Sequence, residues 1–548
     1  MSRLPLLLTA FCMTACSSPD SAADLLLRGG RVWVGADEPS VEAIAIRDGR
    51  VVALGTAADL ASLVGSSTEI VELDGRTVLP GLIDAHVHFI QGGFQLSSVD
   101  LRSADSPEEF TRRLAEFAGT RPAGTWITGG DWDHEAWGGE LPDRAWIDRV
   151  TPDHPVFVSR LDGHMAVANT RALELAGVEA GTPDPPGGTV VRDARGRPTG
   201  VLKDEAMGLV GRVMPAPSEA DLDRALDAAV AHALSLGVTQ VHDMGDWTHF
   251  ETYRRAQAAG RLPIRIYSVV PMSTWPRLAE LVGREGRGDR RLWWGGLKAF
   301  VDGSLGSTTA WFYEPYTDDP STAGLLTTDT TALREWILAA DSAGLHTIVH
   351  AIGDQANDWL LDVFAEAQAR NGARDRRQRI EHAQHLRADA IPRFGALGVI
   401  ASMQPYHAAD DGRWAEKRIG PERIKTTYAF RSLLDAGAPL AFGSDWTVAP
   451  LSPFLGMEAA VTRQTIDGAN PEGWVPEQRI TLEDALVAYT RGGARAGFME
   501  SEVGSLEVGK AADLVVVSGD LFGTEPDRIG ELVADLTVVD GTVEYRRR

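Results

Sequence analysis

The sequence predicts an α/β protein built on a (β/α)8 TIM barrel. A small composite β-sandwich domain formed from both termini flanks it, and a long insertion follows the first barrel strand. Three observations support this. Eight short apolar, β-rich runs recur between Leu79 and Asp445, helical patterns fall between most of them, and ionisable residues stand at the ends of several runs. Both termini are instead rich in short strands with turn signals between them.

At 548 residues the chain can bury a large core and hold more than one structural unit. An apolar content of 44% and a charged content of 24% are those of an ordinary globular protein. The balance of 53 basic against 77 acidic residues gives a net charge of −24, which disfavours nucleic acid or an anionic membrane surface as the main partner.

The first residues form a separate segment. Arg3 precedes an apolar run from Leu4 to Met13, followed by Thr14-Ala15-Cys16 and then Ser17-Ser18-Pro19-Asp20, the pattern of a secretory signal. It resembles a bacterial lipoprotein signal, although Met13 replaces the usual leucine. The expected division is a signal peptide over 1–15 and a tether over 16–23, with Cys16 as the lipidated mature N-terminus of an exported, periplasmic or cell-surface protein. The lipid anchor would be its only membrane contact. Cleavage would also remove Cys12, so disulfides and thiolate metal sites are excluded from the body of the chain.

Residues 24–78 and 500–548 are expected to pair into the composite β domain. Its predicted strands are Leu25 to Trp33, Val41 to Arg47, Val51 to Leu54 and Glu69 to Leu73, with Asp513 to Val517 and Leu536 to Val543 from the far end. A short helix is expected around Ala57 to Val64. The barrel domain spans 79–499. After the first strand its runs are Val238 to Met244, Ile264 to Val270, Gly296 to Val301, His346 to His350, Arg379 to His382, Val399 to Gln404 and Leu440 to Asp445. Predicted crossover helices include Ala220 to Leu236, Thr331 to Ala343 and Asp354 to Arg370. The gap of 89–217 is too long for one crossover and must hold an insertion over the C-terminal barrel face, with strand pieces at Thr125 to Gly129, Val156 to Ser159 and Thr189 to Arg192.

In the first strand, period-2 alternation puts His86 and His88 on one side, so two imidazoles face one point. A divalent metal relieves the cost of burying such a pair through their neutral nitrogens. Lys298 in the fourth strand, His350 in the fifth, His382 in the sixth and Asp445 after the eighth add ionisable groups to apolar strands. Any one alone reads as a satisfied core residue. Five strands delivering such groups to one barrel end read as a metal centre.

This set resembles the amidohydrolase superfamily, and more narrowly its family 3 branch, which includes N-substituted formamide deformylases. The closer match lies in Gly163-His164, Asp302-Gly303-Ser304-Leu305-Gly306-Ser307, His350-Ala351-Ile352-Gly353-Asp354, Arg379-Ile380-Glu381-His382-Ala383, Gln404-Pro405-Tyr406-His407 and Gly443-Ser444-Asp445-Trp446. The resemblance implies His86, His88 and Asp445 on one metal ion, His350 and His382 on a second, and Lys298 bridging as its carbamate. Zinc is the implied metal, and one or two ions remain open. Asp445 would accept a proton from water and pass it to the leaving nitrogen. His164 and His407 are candidates for holding the oxyanion. Trp132, Asp133 and Trp446 are candidate pocket walls, and His242, Asp243 and Asp302 candidate supports for the metal ligands.

The expected activity is hydrolysis of a C–N bond in a small-molecule amide, an N-substituted formamide or N-acyl compound with an apolar substituent. Rival readings are an esterase or cyclic-amide hydrolase with the same metal centre, or a non-catalytic ligand-binding lipoprotein. A homo-oligomer stays open.

Overall fold

The computed structural model describes residues 22–36 and 38–548. Cys16 and the expected signal and tether up to residue 21 lie outside the described residues.

Eight parallel strands form the barrel: Leu82–Val87, Val238–Met244, Arg265–Pro271, Leu292–Phe300, His346–Ala351, Arg379–His382, Ile400–Met403 and Leu440–Phe442. They hydrogen-bond in sequence order, and a parallel bridge between Val87 and Trp446 brings the last strand end back to the first. Almost every strand residue is buried, because crossover helices cover the outside while side chains fill the inside. The helices Glu219–Ser235, Thr330–Ser342 and Asp354–Asn371 lie within a residue or so of their expected positions. The first of them starts at a capping box, in which Ser218 and Asp221 satisfy each other's backbone N–H groups. Closure also depends on Asp84, a buried carboxylate that accepts the backbone N–H of Ser444 beyond the eighth strand and of His86 in its own.

The termini build two packed sheets. One pairs Arg50–Gly55, Ala43–Arg47, Leu25–Arg28 and Glu69–Glu72; the other pairs Arg31–Val32, Thr77–Pro80, Leu514–Val517, Ala534–Val539 and Thr542–Arg546. Leu25, Leu27, Ile44 and Ile46 of the first face Val78, Leu514, Val516 and Leu536 of the second. Three expectations need correction. The run Leu536 to Val543 belongs to two antiparallel strands, because Asp540 and Gly541 both adopt positive φ and turn the chain. The run Leu25 to Trp33 is two strands in different sheets, because Gly29 adopts φ +76° and turns the chain between them. The expected helix near Ala57 to Val64 is only a 3-10 turn at Ala61–Leu63. Its entry is tied down by Asp59, whose carboxylate accepts the Thr56 N–H and hydroxyl. Thr77–Pro80, not foreseen as a strand, joins the termini by pairing antiparallel with Leu514–Val517.

An ion network fastens this domain to the barrel. The fully buried Arg265, first residue of the third strand, donates to Asp513 at 2.6 and 2.9 Å and to Asp540 at 2.5 Å. Asp513→Ala should lower stability by about 3 kcal/mol in denaturant unfolding, since it leaves a buried guanidinium short of its partner. A loss within about 0.5 kcal/mol, as for ordinary surface changes, would show that Asp540 alone suffices.

The insertion folds as a six-stranded sheet in the order Gly188–Arg192, Pro198–Asp204, Met165–Ala168, Phe157–Arg160, Gly129–Trp132, Val99–Asp100. The strand expected over Thr125 to Gly129 begins only at Gly129; Ile127 makes a single bridge to Val156. The sheet is pinned over the C-terminal barrel face by Lys203 donating to the Ser307 carbonyl at 3.0 Å and by Ser304 donating to Asp162 at 2.5 Å.

No helix among the described residues is long and apolar enough to cross a membrane.

Candidate metal centre

The first barrel strand carries His86 into the barrel interior, where it is fully buried, and His88 follows at the strand's end. Burial, reinforced by the nearby Lys298 amine, pulls the His86 imidazole well below its usual pKa and keeps it neutral. Its Nδ1 lies 2.5 Å from Glu381 Oε2, and Glu381 is itself held by Arg379, whose Nε donates to Oε1 at 2.8 Å. With the carboxylate accepting the Nδ1–H, the Nε2 lone pair is left for a ligand. That atom is 3.4 Å from Asp445 Oδ1, and His88 Nε2 is 3.3 Å from the same oxygen. Asp445 Oδ1 is buried with no hydrogen-bond partner.

Three donor atoms thus converge on one point, and a buried carboxylate oxygen without a donor is costly unless a cation takes it. The residues therefore fit a divalent metal. A second group, His382, His407 and Asp445, also brings its donor atoms within 4.8 Å of one another. His382 donates from Nδ1 to Gln404 Oε1 at 2.8 Å, and His407 Nε2 is buried without a partner. This grouping differs from the expected pair of His350 and His382. His350 directs Nε2 to the Gly303 carbonyl at 3.0 Å, although its ring remains 4.5 Å from that of His382. Only its Nδ1 is left for a ligand.

Lys298 Nζ lies 3.4 Å from His86 Nε2, and among the described residues no carboxylate is within 4.0 Å of it. Burial lowers its pKa to about 8. His164 arrives from the insertion with its ring 5.3 Å from that of His350 and its Nδ1 2.7 Å from Asp204 Oδ1.

The sequence profile of the amidohydrolase family matches residues 69–545. The chain belongs to the amidohydrolase family. It is 43% identical over 535 residues to Protein LONG AFTER FAR-RED 3 of Arabidopsis thaliana, covering 94% of this chain and 91% of that one. It is 30% identical over 544 residues to N-substituted formamide deformylase of Arthrobacter pascens, covering 96% and 98%. The crystal structure of an uncharacterized metal-dependent hydrolase from Pyrococcus horikoshii OT3 superposes with a TM-score of 0.74 at 31% identity, covering 95% of this chain and all of that one.

In this amidohydrolase the cavity at the metal centre has an apolar side formed by Leu161, Phe300, Leu305, Ile352, Trp414 and Val448. The three residues expected to wall the pocket do not line it. Trp132 is fully buried in the core of the insertion, where its indole N–H donates to the Val158 carbonyl at 2.9 Å. Trp446 packs behind the first strand against Phe89 and His232. It presses so closely on Gly92 that a Cβ there would fall 2.4 Å from the indole. Asp133 is occupied by Arg160 at 2.9 Å and Arg413 at 3.1 Å. Of the expected supports, Asp302 accepts the backbone N–H groups of Trp311, Ile352 and Gly353, which shapes the loop after His350. Asp243 accepts from Phe89 N and the Tyr253 hydroxyl, and His242 Nδ1 accepts from Arg379.

Sequence reasoning assigned no role to Glu381, Gln404 or Asp204, the three groups that orient His86, His382 and His164. A signal for one was present: Arg379 and Glu381, two apart in a buried strand, point to the same side and have to be paired.

Proposed function

We propose that the protein hydrolyses the C–N bond of an N-substituted formamide or another small N-acyl compound with an apolar substituent, at a zinc centre. The observation that carries this is the buried Asp445 Oδ1, without a hydrogen-bond donor and flanked by two neutral-capable imidazole nitrogens at 3.3 and 3.4 Å. His86, His88 and Asp445 would hold one ion, and His350 with His382, whose rings lie 4.5 Å apart, a second. Imidazole nitrogen and carboxylate oxygen are characteristic zinc ligands. Such an ion supplies a nucleophile near neutrality by lowering the pKa of water from about 15.7 to about 7.

The chain's own groups account for the remaining steps. Asp445 takes the proton of the attacking water and returns it to the departing nitrogen. His164, fixed by Asp204, and His407, whose Nε2 has no partner, polarise the substrate carbonyl. The apolar side beside them accepts the substituent, with burial contributing roughly 25 cal/mol per Å². Lys298, buried beside His86 without a carboxylate partner, carries a carbamate in this reading, which turns a poor neighbour for a dication into an anionic ligand. The similarity to a formamide deformylase supports the acyl group.

Turnover of zinc-loaded protein on N-formyl, N-acetyl, longer N-acyl, lactam and ester substrates tests the proposal. N-formyl and N-acyl amines should be cleaved. Cleavage of esters or lactams alone, or stoichiometric zinc with no turnover, would overturn it. Export and lipid tethering through Cys16 belong to the same proposal, motivated by the apolar run ending at Ala15-Cys16. Cys16→Ser should shift the protein from membranes to the soluble fraction, and continued partition with membranes would refute the anchor.

A further inference from the structure

We propose that the opposite end of the barrel holds a second binding site, for a small planar aromatic carboxylate. A cavity of about 260 Å³ opens at the N-terminal ends of the fourth to sixth strands. Lys298, His350 and His382 occupy the far ends of the same strands, so this cavity is separate from the metal centre.

Its floor is aromatic, lined by Tyr267, Trp293 and His346. Tyr267 stacks on Trp293 at 5.4 Å and on His346 at 6.0 Å, with interplanar angles of 14° and 20°. The polar atoms of these rings are already used. His346 donates from Nε2 to the Arg377 carbonyl at 2.7 Å and accepts the Tyr267 hydroxyl at Nδ1 at 3.0 Å, while the Trp293 N–H donates to the Gly497 carbonyl at 2.8 Å. The floor therefore offers apolar ring surface and no further hydrogen-bond donors. Burial brings His346 down to a pKa of about 3, so it adds no charge.

The walls are cationic. Arg376, only 7% exposed, donates from Nε to Asp341 at 2.8 Å, but its Nη2 is buried with no partner. Arg374 uses the same Asp341 oxygen at 2.6 Å, so one carboxylate serves two guanidinium groups. Arg287 donates to the Gly344 carbonyl at 2.7 Å and, among the described residues, has no carboxylate within 4.0 Å. The lining also holds one carboxylate, Asp375, which pairs with Arg377 outside the cavity. The three arginines of the lining, Arg287, Arg374 and Arg376, face two carboxylates, Asp341 and Asp375, which leaves an excess of one positive charge.

A monoanion balances that excess, and a carboxylate matches the forked donors of arginine. The volume lies just below the roughly 300–1,000 Å³ of pockets for drug-sized ligands, which suits a single or fused pair of rings. An unpaired buried guanidinium N–H and an unpaired rim arginine are what such a group would satisfy.

Calorimetric titration of the zinc-loaded protein with indole-3-carboxylate, indole-3-carboxamide and inorganic phosphate tests this. The carboxylate should bind saturably with one site, at least tenfold tighter than the carboxamide or phosphate. Arg287→Gln and Arg376→Gln should each weaken it by about tenfold, the loss of one charge-assisted hydrogen bond. His407→Ala, in the catalytic cavity, should leave it unchanged. Arg287 is exposed and its replacement does not threaten folding, so it decides the matter if Arg376→Gln is unstable. The proposal is overturned if the carboxylate does not bind, if carboxamide or phosphate binds as well, or if His407→Ala rather than Arg287→Gln weakens binding.

Discussion

Asp445→Asn is expected to separate metal binding from catalysis. Asparagine is nearly isosteric with aspartate, and its amide oxygen can take the place of Oδ1 between His86 Nε2 and His88 Nε2, now 3.4 and 3.3 Å away. The amide cannot accept a proton from water at neutral pH. Turnover on an N-acyl substrate should fall about 10²–10⁴-fold, the usual contribution of general acid–base catalysis, while much of the metal is retained. His86→Ala deletes a ligand instead and should lower metal content directly. Elemental analysis beside steady-state kinetics distinguishes the two variants. Near-normal turnover by Asp445→Asn with full metal would transfer the proton to another group, and His407, with its partnerless Nε2, is placed to take it.

Glu381→Gln should weaken metal binding without touching a ligand. Glu381 accepts from Arg379 at Oε1 and faces His86 Nδ1 at Oε2. Glutamine has only one oxygen, and Arg379, a donor throughout, would claim it. The amide nitrogen would then donate to His86 Nδ1 and force the ring proton onto Nε2, the atom that faces Asp445. Loss of such an orienting partner typically costs about 10–100-fold in metal affinity, measurable by competition with a chelator. Unchanged affinity would show that His86 finds its tautomer without Glu381.

The barrel was legible because each strand is a buried apolar run with helical periodicity between neighbours, a pattern set by burial on both faces. The break at Gly29 was not, since an apolar run reads the same whether it stays in one sheet or crosses to another. The pocket walls were misassigned for a related reason. Tryptophan is apolar enough for any core, and composition does not say whether that core belongs to the insertion, as for Trp132, or lies behind the first strand, as for Trp446.

The order of residues alone determined the fold class and which strands deliver ionisable groups to one barrel end. Strand periodicity and the rule that active groups lie at C-terminal strand ends require no distances. Tertiary structure decided which of those groups meet. His86, from the first strand, is aimed by Glu381 from the sixth, and His382 by Gln404, which follows the seventh. His407 comes within reach of His382 and Asp445, while His350 gives its Nε2 to the Gly303 carbonyl and keeps only Nδ1 beside His382. Those choices rest on hydrogen bonds across the barrel between residues as many as 295 positions apart, where a displacement of an ångström decides which partner a ring nitrogen takes.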